Sequence, residues 1–244
     1  MRIPSKHDIF ASLGFLAVLV VLFFSGKWAW ETYRNPTARV DFARYPVRGI
    51  DVSAHNGDID FSAVAASGID FVWIKASEGE TVRDSRFADN FAAATAAGLR
   101  VGAYHFFRFD CDGVMQAMNL CQALGDCKPG MGVAIDVEEE SNAVGIDSEV
   151  ILGNLDTMID YLQLRGYNIV LYSNKDGFIE YFQDHFSRYP IWLCSFSDDT
   201  PSSDIDWTFW QYSHAGRVDG IKGPVDLDVF DGSMAEFMRF PGND

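Results

Sequence analysis

The sequence predicts an α/β fold in which five strand–helix units are followed by three further strands, preceded by one apolar N-terminal helix. Three observations carry that expectation. Short apolar, β-branched and aromatic runs alternate with helical patterns from residue 48 to about residue 184. The alternation then stops, and three strand-like runs follow without clear helices between them. Ahead of all this, residues 9–26 form eighteen residues without a charge, flanked by Arg2, Lys6 and Lys27.

Residues 1–8 are a short basic tail, and residues 9–26 just reach the length of a membrane-spanning helix. A cleaved signal peptide shares the charged start and apolar middle. No Ala-x-Ala-like triplet follows Phe24, however, and Trp28, Trp30 and Tyr33 suit an interfacial aromatic belt. A retained signal anchor and transmembrane helix is therefore expected. The folded domain should lie in the periplasm or outside the cell, and be secreted if the segment is cleaved. Residues 27–46 read as a tether ending at Pro46, and residues 47–244 as the domain itself.

Within that domain residues 48–53 are strand-like, 60–67 a short helix closed by Gly68, and 69–76 (IDFVWIKA) a buried strand. Residues 86–97 are an Ala-rich helix that Gly98 stops. A strand over 99–107, a helix over 113–124 and a strand over 131–138 follow. Asp147 N-caps a long helix over 147–165, ended by Gly166. A strand at 168–173 and a helix at 176–184 complete the fifth unit. Residues 189–194, 207–212 and 225–230 are the last three strands. Alternation of this kind argues for a parallel sheet, and eight strands can close into a barrel.

The formal net charge of −16 is uneven: residues 1–48 carry +4 and the remainder −20. So acidic a domain has no electrostatic footprint for nucleic acid, which needs clustered Lys and Arg. The charge serves solubility instead. Cys111, Cys121, Cys127 and Cys194 are even in number and compatible with two disulfides, for which three pairings exist. Free buried thiols are the other reading. Zinc is disfavoured, because no Cys-x-x-Cys pair occurs.

Functional groups of such barrels sit at the C-terminal ends of strands. That rule picks out Asp51 after the first strand, Asp136 and Glu138 at the end of the fourth, and Asp226 and Asp228 on the last. In the fourth strand Val133, Ile135 and Val137 share one face, and Ala134, Asp136 and Glu138 the other. Asp136 and Glu138 are thus neighbours on one face, their backbones about 6.6 Å apart. A strand buried on both faces gains nothing from two unpaired carboxylates. Glycoside hydrolysis needs such a pair, one protonated acid and one group for the developing positive charge or its attacking partner. An ionised Asp136 would help Glu138 stay protonated. A salt-bridged or helix-capping pair at the rim is the competing structural reading.

Further segments bear on that choice. Residues 49–57 (GIDVSAHNG) resemble the opening motif of the family 25 glycoside hydrolases, the Chalaropsis-type lysozymes or N-acetylmuramidases. Residues 71–79 (FVWIKASEG) resemble that family's second strand, 102–107 (GAYHFF) its third and 135–138 (IDVE) its catalytic strand. Residues 210–213 (WQYS) and 225–230 (VDLDVF) resemble its last two strands. The likeness runs in order over about residues 47–232. It implies a TIM-like (β/α)5(β)3 barrel that cleaves the β-1,4 bond after N-acetylmuramic acid in peptidoglycan. Carried over by position, Glu138 would be the general acid/base. Asp136 would steady the substrate's 2-acetamido group as it attacks the anomeric carbon, a direct carboxylate nucleophile being the other reading. Asp51 and Asp226 would complete an acidic floor. Two departures stand out: Asn56 where the family usually has Gln, and Asp228 where Asn is common.

Tyr104, Tyr172, Trp192, Trp210 and Tyr212 are candidates for the platform on which a pyranose packs. Phe106 and Trp73 read as core. Lys75 and Glu78 form a candidate rim ion pair in reach of substrate. His55 and His105, with the aspartates, raise a deacetylase-like metal site, but no His-x-x-x-His pair supports it. Neither a Gly-x-Ser-x-Gly turn nor a phosphate-cradling Gly-rich loop occurs. No cofactor or metal is expected. Partners should be peptidoglycan strands and, through the N-terminal helix, the membrane. The rival functions are a non-catalytic peptidoglycan-binding module on the same barrel and a hydrolase of another N-acetylated glycan.

Overall fold

The structure is a computed structural model that describes residues 37–196, 201 and 204–241. The expected helix over residues 9–26 lies outside the described residues. Among those described, no helix is long and apolar enough to cross a membrane.

The strands are β1 (Arg48–Val52), β2 (Phe71–Glu78), β3 (Val82–Arg83), β4 (Arg100–Phe106), β5 (Val133–Asp136), β6 (Ile169–Asn174), β7 (Ile191–Cys194), β8 (Phe209–Gly216) and β9 (Val225–Phe230). They are hydrogen-bonded in the order β1-β9-β8-β7-β6-β5-β4-β2, and β1 pairs with β2, so eight strands close a barrel. β3 is a short antiparallel partner of β2 outside the ring. From β1 through β8 the barrel neighbours are parallel. β9 breaks the expected parallel pattern: it runs antiparallel to both β8 and β1. The reversal follows from the short connection between β8 and β9, which holds no crossover helix to return the chain to the starting end.

The connecting helices are α1 (Phe61–Ala66), α2 (Phe87–Ala96), α3 (Gly113–Leu124) and α4 (Ser148–Leu164). Asp60, Asp112 and Asp147 cap the starts of α1, α3 and α4, each accepting backbone N–H bonds that the first turn leaves unsatisfied. The expected fifth helix is a short α5 (Lys175–Gly177) that runs into a π-helical turn at Phe178–Phe182. A last helix, α6 (Met234–Phe237), was not expected.

Two apolar clusters divide the core. Val72 and Ile74 of β2 belong to the layer packed with the helices, whereas Phe71 and Trp73 belong to an inner cluster. That alternation fills the barrel with side chains, as the fold requires. At the N-terminal end of the strands, Phe71, Phe209 and Phe230 meet Phe237 of α6, with ring centroids 5.2–5.4 Å apart along the chain of contacts. Above them Trp73 stacks on Trp192 at 5.3 Å. Gly102 makes this possible, because a Cβ there would collide with the Trp73 indole. The barrel is sealed below and open above.

Residues 37–47, expected to be the end of a tether and the domain's first residue, pack on the barrel instead. Ala38 N donates to Tyr212 O at 3.0 Å, and the Thr37 and Ser213 hydroxyls lie 2.9 Å apart. Tyr45 is buried against Trp207 and Trp210, at centroid distances of 5.4 and 6.1 Å. The outer face of β8 is aromatic and needs this cover. The disulfide expectation is also corrected: all four cysteines are free thiols, each partly buried in its own surroundings.

Candidate active site

The open end of the barrel holds a cleft of about 550 Å³. Its walls come from side chains on the inner face of the strands and from the residues just beyond their C-terminal ends. Asp136 is the last residue of β5 and is buried; Glu138 follows two residues later and is half-buried. The extended geometry continues past the strand, because Val137 N donates to Tyr172 O and Ser173 Oγ donates to Val137 O. Both carboxyl groups therefore face the cleft, as strand alternation required.

The loop that carries Glu138 is pinned from one side. Asn142 Nδ2 donates to the carbonyls of Glu138 and Phe107, each at 2.9 Å, while its Oδ1 accepts from Phe109 N at 2.9 Å. Ser141 beside it takes a left-handed backbone, φ 66°, and its carbonyl accepts from Arg108 Nη1. One asparagine thus ties the end of β5 to the end of β4.

The opposite wall is also acidic. Asp51 of β1 lies directly across from Asp226 of β9. Only the antiparallel course of β9 allows this, since it brings the strand's second residue to the rim rather than its last. Gln211 of β8 donates from Nε2 to Asp51 Oδ2 at 2.7 Å, and its Oε1 accepts from the Tyr172 hydroxyl at 2.8 Å. Asp228 sits deeper, and its Oδ1 accepts from Trp192 Nε1 at 2.8 Å. The other Asp228 oxygen, like Asp136 Oδ1, is buried without a hydrogen-bond partner among the described residues.

Burial sets the proton affinities. It pushes Glu138 up to about 7, helped by the negative charges of Glu140 and Asp226 and opposed by Lys75. Asp226 is pushed up to about 6 by burial, against a stabilising bond from Asp51. Asp51, Asp136 and Asp228 all lie well above the ordinary carboxylate range, with burial the first cause in each. For Asp136 the next cause is Glu138 itself. Burial without a donor on Oδ1 thus favours the neutral form of Asp136 as well.

Residues 50–221 match the family described as Glycosyl hydrolases family 25. The chain belongs to that family. It is 32% identical to the autolytic lysozyme of Clostridium acetobutylicum over 184 residues, which are 75% of this chain and 56% of that relative. The chain thus spans little more than half of that relative's length. Lysozyme M1 of Streptomyces globisporus is 32% identical over 212 residues, covering 81% of this chain and 72% of the relative. Among solved structures, a family 25 glycosyl hydrolase from Bacillus anthracis superposes with a TM-score of 0.78 at 32% identity, over 84% of this chain and 97% of that one. A bacterial lysozyme from Streptomyces coelicolor does so at 0.70 and 31%, over 80% and 96%.

In this family 25 cleft, Tyr104, Tyr172, Trp192 and Lys75 join the four acids as lining residues. Tyr172 meets Trp192 edge-on at 4.7 Å and Tyr104 meets it at 6.2 Å, so the three rings make one wall. Glu78 stands behind that lining, where it pairs with Lys75 at 2.8 Å and faces Arg108 at 3.7 Å. Trp210 and Tyr212 are not in the cleft. They alternate with Gln211 and so point outward, Trp210 Nε1 donating to Ser195 O beneath the 37–47 segment. Phe106, expected in the core, lines the cleft with Lys75 Nζ 5.2 Å over its ring. His55 also lines the cleft, whereas His105 is buried on the other face of β4, held by Ser77 and Gln116. Gln211, Asn174, His214 and Phe196 are lining residues that the sequence reading did not select. Gln211 carried a usable signal, a polar residue alternating with aromatics in an otherwise apolar strand. His214 carried none, because shifts of register in β8 around Ser213 decide where it points.

Proposed function

We propose that this cleft hydrolyses peptidoglycan at the β-1,4 bond between N-acetylmuramic acid and N-acetylglucosamine, with Glu138 as general acid/base. The observation that carries the proposal is Glu138 itself: a carboxyl beside a second carboxyl at the mouth of a barrel strand, held protonated up to about pH 7. An acid with that affinity is charged with a proton near neutrality and still able to give it up. The lysozymes among the relatives support a peptidoglycan substrate. That substrate is reached in the periplasm or outside the cell, and the apolar run at residues 9–26 supports a membrane-tethered hydrolase.

The steps balance on residues of this chain. Glu138 gives its proton to the glycosidic oxygen as the bond to the anomeric carbon breaks. The substrate's 2-acetamido oxygen attacks that carbon, and Asp136 accepts the acetamido N–H on the carboxyl oxygen that faces the cleft. The arriving donor supplies what burial withholds, so Asp136 becomes the charged member of the pair as substrate binds. Water then attacks the same carbon, passes its proton to the Glu138 carboxylate and restores the acetamido group. Tyr104, Tyr172 and Trp192 present ring faces and edges to the sugars, and Asp51 and Asp226 accept from hydroxyls. Mass spectrometry of digested cell wall tests the reading. Fragments with a reducing muramic acid end are expected. Reducing N-acetylglucosamine ends, or a wall that binds the protein without being cut, would overturn it.

A further inference from the structure

We propose that Asp228 is a positioning residue that shares one proton with Asp51, and that this shared proton fixes Trp192 and Asp51 in the cleft wall. The inference rests on the catalytic reading above but concerns a side chain that reading does not use. Asp228 is 0% exposed, deeper than Asp51, Asp136, Glu138 and Asp226 of the cleft. One of its oxygens is satisfied by Trp192 Nε1, and the other has no N–H or O–H donor among the described residues. Two residues on from Asp226, it lies on the same face of β9, beside Asp51 of the neighbouring β1; the charge of Asp226 raises its proton affinity and a bond to Asp51 lowers it. Two buried carboxyl groups in that relation cannot both be ionised; a single proton between them removes one charge and gives the orphaned Asp228 oxygen a partner.

Among the described residues, the groups around Asp228 are acidic, uncharged or already bonded. From β9, Asp226 adds a second negative charge, and from β1 Asp51 adds its own. β8 contributes Gln211, whose amide is already spent on Asp51 and Tyr172, and Tyr212, which feels Asp228 only as a charge. β7 contributes the Trp192 indole, an N–H with no charge. Lys75, the cation of the cleft, acts on Asp136 and Glu138. Loss of the shared proton therefore sets two carboxylates against each other behind the sugar platform, and Trp192 is bonded to one of them.

Asp228→Asn is the informative change in the full chain, because its carbonyl still accepts from Trp192 and its amide donates to Asp51 without a proton to lose. Buried carboxyls with raised affinity stabilise the fold below about pH 4 and lose that contribution as pH rises through their folded values. The parent's Tm is therefore expected to fall as pH is raised from 4 to 9, and the Asp228→Asn Tm to fall less. Asp228→Leu, which abandons both partners, should lower activity across the range. Superimposable Tm-against-pH curves for parent and Asp228→Asn would overturn the proposal. That readout needs no turnover, so it stands even if the peptidoglycan reading fails in the digestion assay.

Discussion

Asp226 stands directly opposite Asp51 because the last barrel strand runs antiparallel to the first. A parallel last strand would carry its first residues to the sealed end, where Phe71, Phe230 and Phe237 pack, and the acidic wall would lose a member. The reversal of one strand is thus what completes the site.

Gln211 links that wall to the aromatic platform. Gln211→Ala leaves the Tyr172 hydroxyl without its buried acceptor and Asp51 without its donor. Stranding buried polar groups costs about 1–3 kcal/mol. The expected outcome is a Tm lowered by several degrees and a KM for wall fragments that rises with Tyr172 free to turn. Calorimetry and steady-state kinetics check the two parts separately.

The pH dependence has a worked sign. The proposed role of Glu138 as general acid needs its proton, and its affinity is raised to about 7, so turnover should decline as pH rises through 7. Stability should move the same way. A carboxyl whose folded affinity exceeds its unfolded value near 4.5 contributes fully below that value and loses its contribution as pH climbs through about 7. A pH–rate profile of kcat/KM, with Tm measured on the same samples, separates loss of the acid from loss of the fold.

Asn142 makes three bonds that hold the Glu138 loop against the end of β4. Asn142→Ala should lower kcat by about tenfold or more with little change in KM, since about 1.4 kcal/mol of misplacement in the transition state suffices for that. Asn142→Asp keeps the acceptor for Phe109 N but loses both donations, so it should not rescue. Kinetics on the purified variants decide the matter, and an unchanged kcat would show that the loop holds itself.

Much of this site was legible because barrel strands are buried on both faces, and a carboxyl there has no structural reason to exist. Asp51, Asp136, Glu138 and Asp226 stand out on that ground alone. The aromatics do not, because Trp and Tyr serve core and cleft equally well. Trp210 and Tyr212 were assigned to the platform, yet one residue of alternation puts Gln211 inside and both rings outside. The direction of β9 and the docking of residues 37–47 on β8 depend on tertiary pairing that no local pattern encodes. Likewise the four cysteines gave a count, and only the fold showed them apart.

The most direct test is the rate of wall solubilisation by Glu138→Gln, which keeps the side chain's size and removes its proton. Loss of a positioned general acid typically costs 10²–10⁴-fold. The expected result is a fall of that order in a variant whose Tm equals or exceeds the parent's, since a neutral amide relieves the crowding of negative charge around Glu138. A Glu138→Gln protein that dissolves cell wall at the parent's rate would contradict the assignment of Glu138 as the acid.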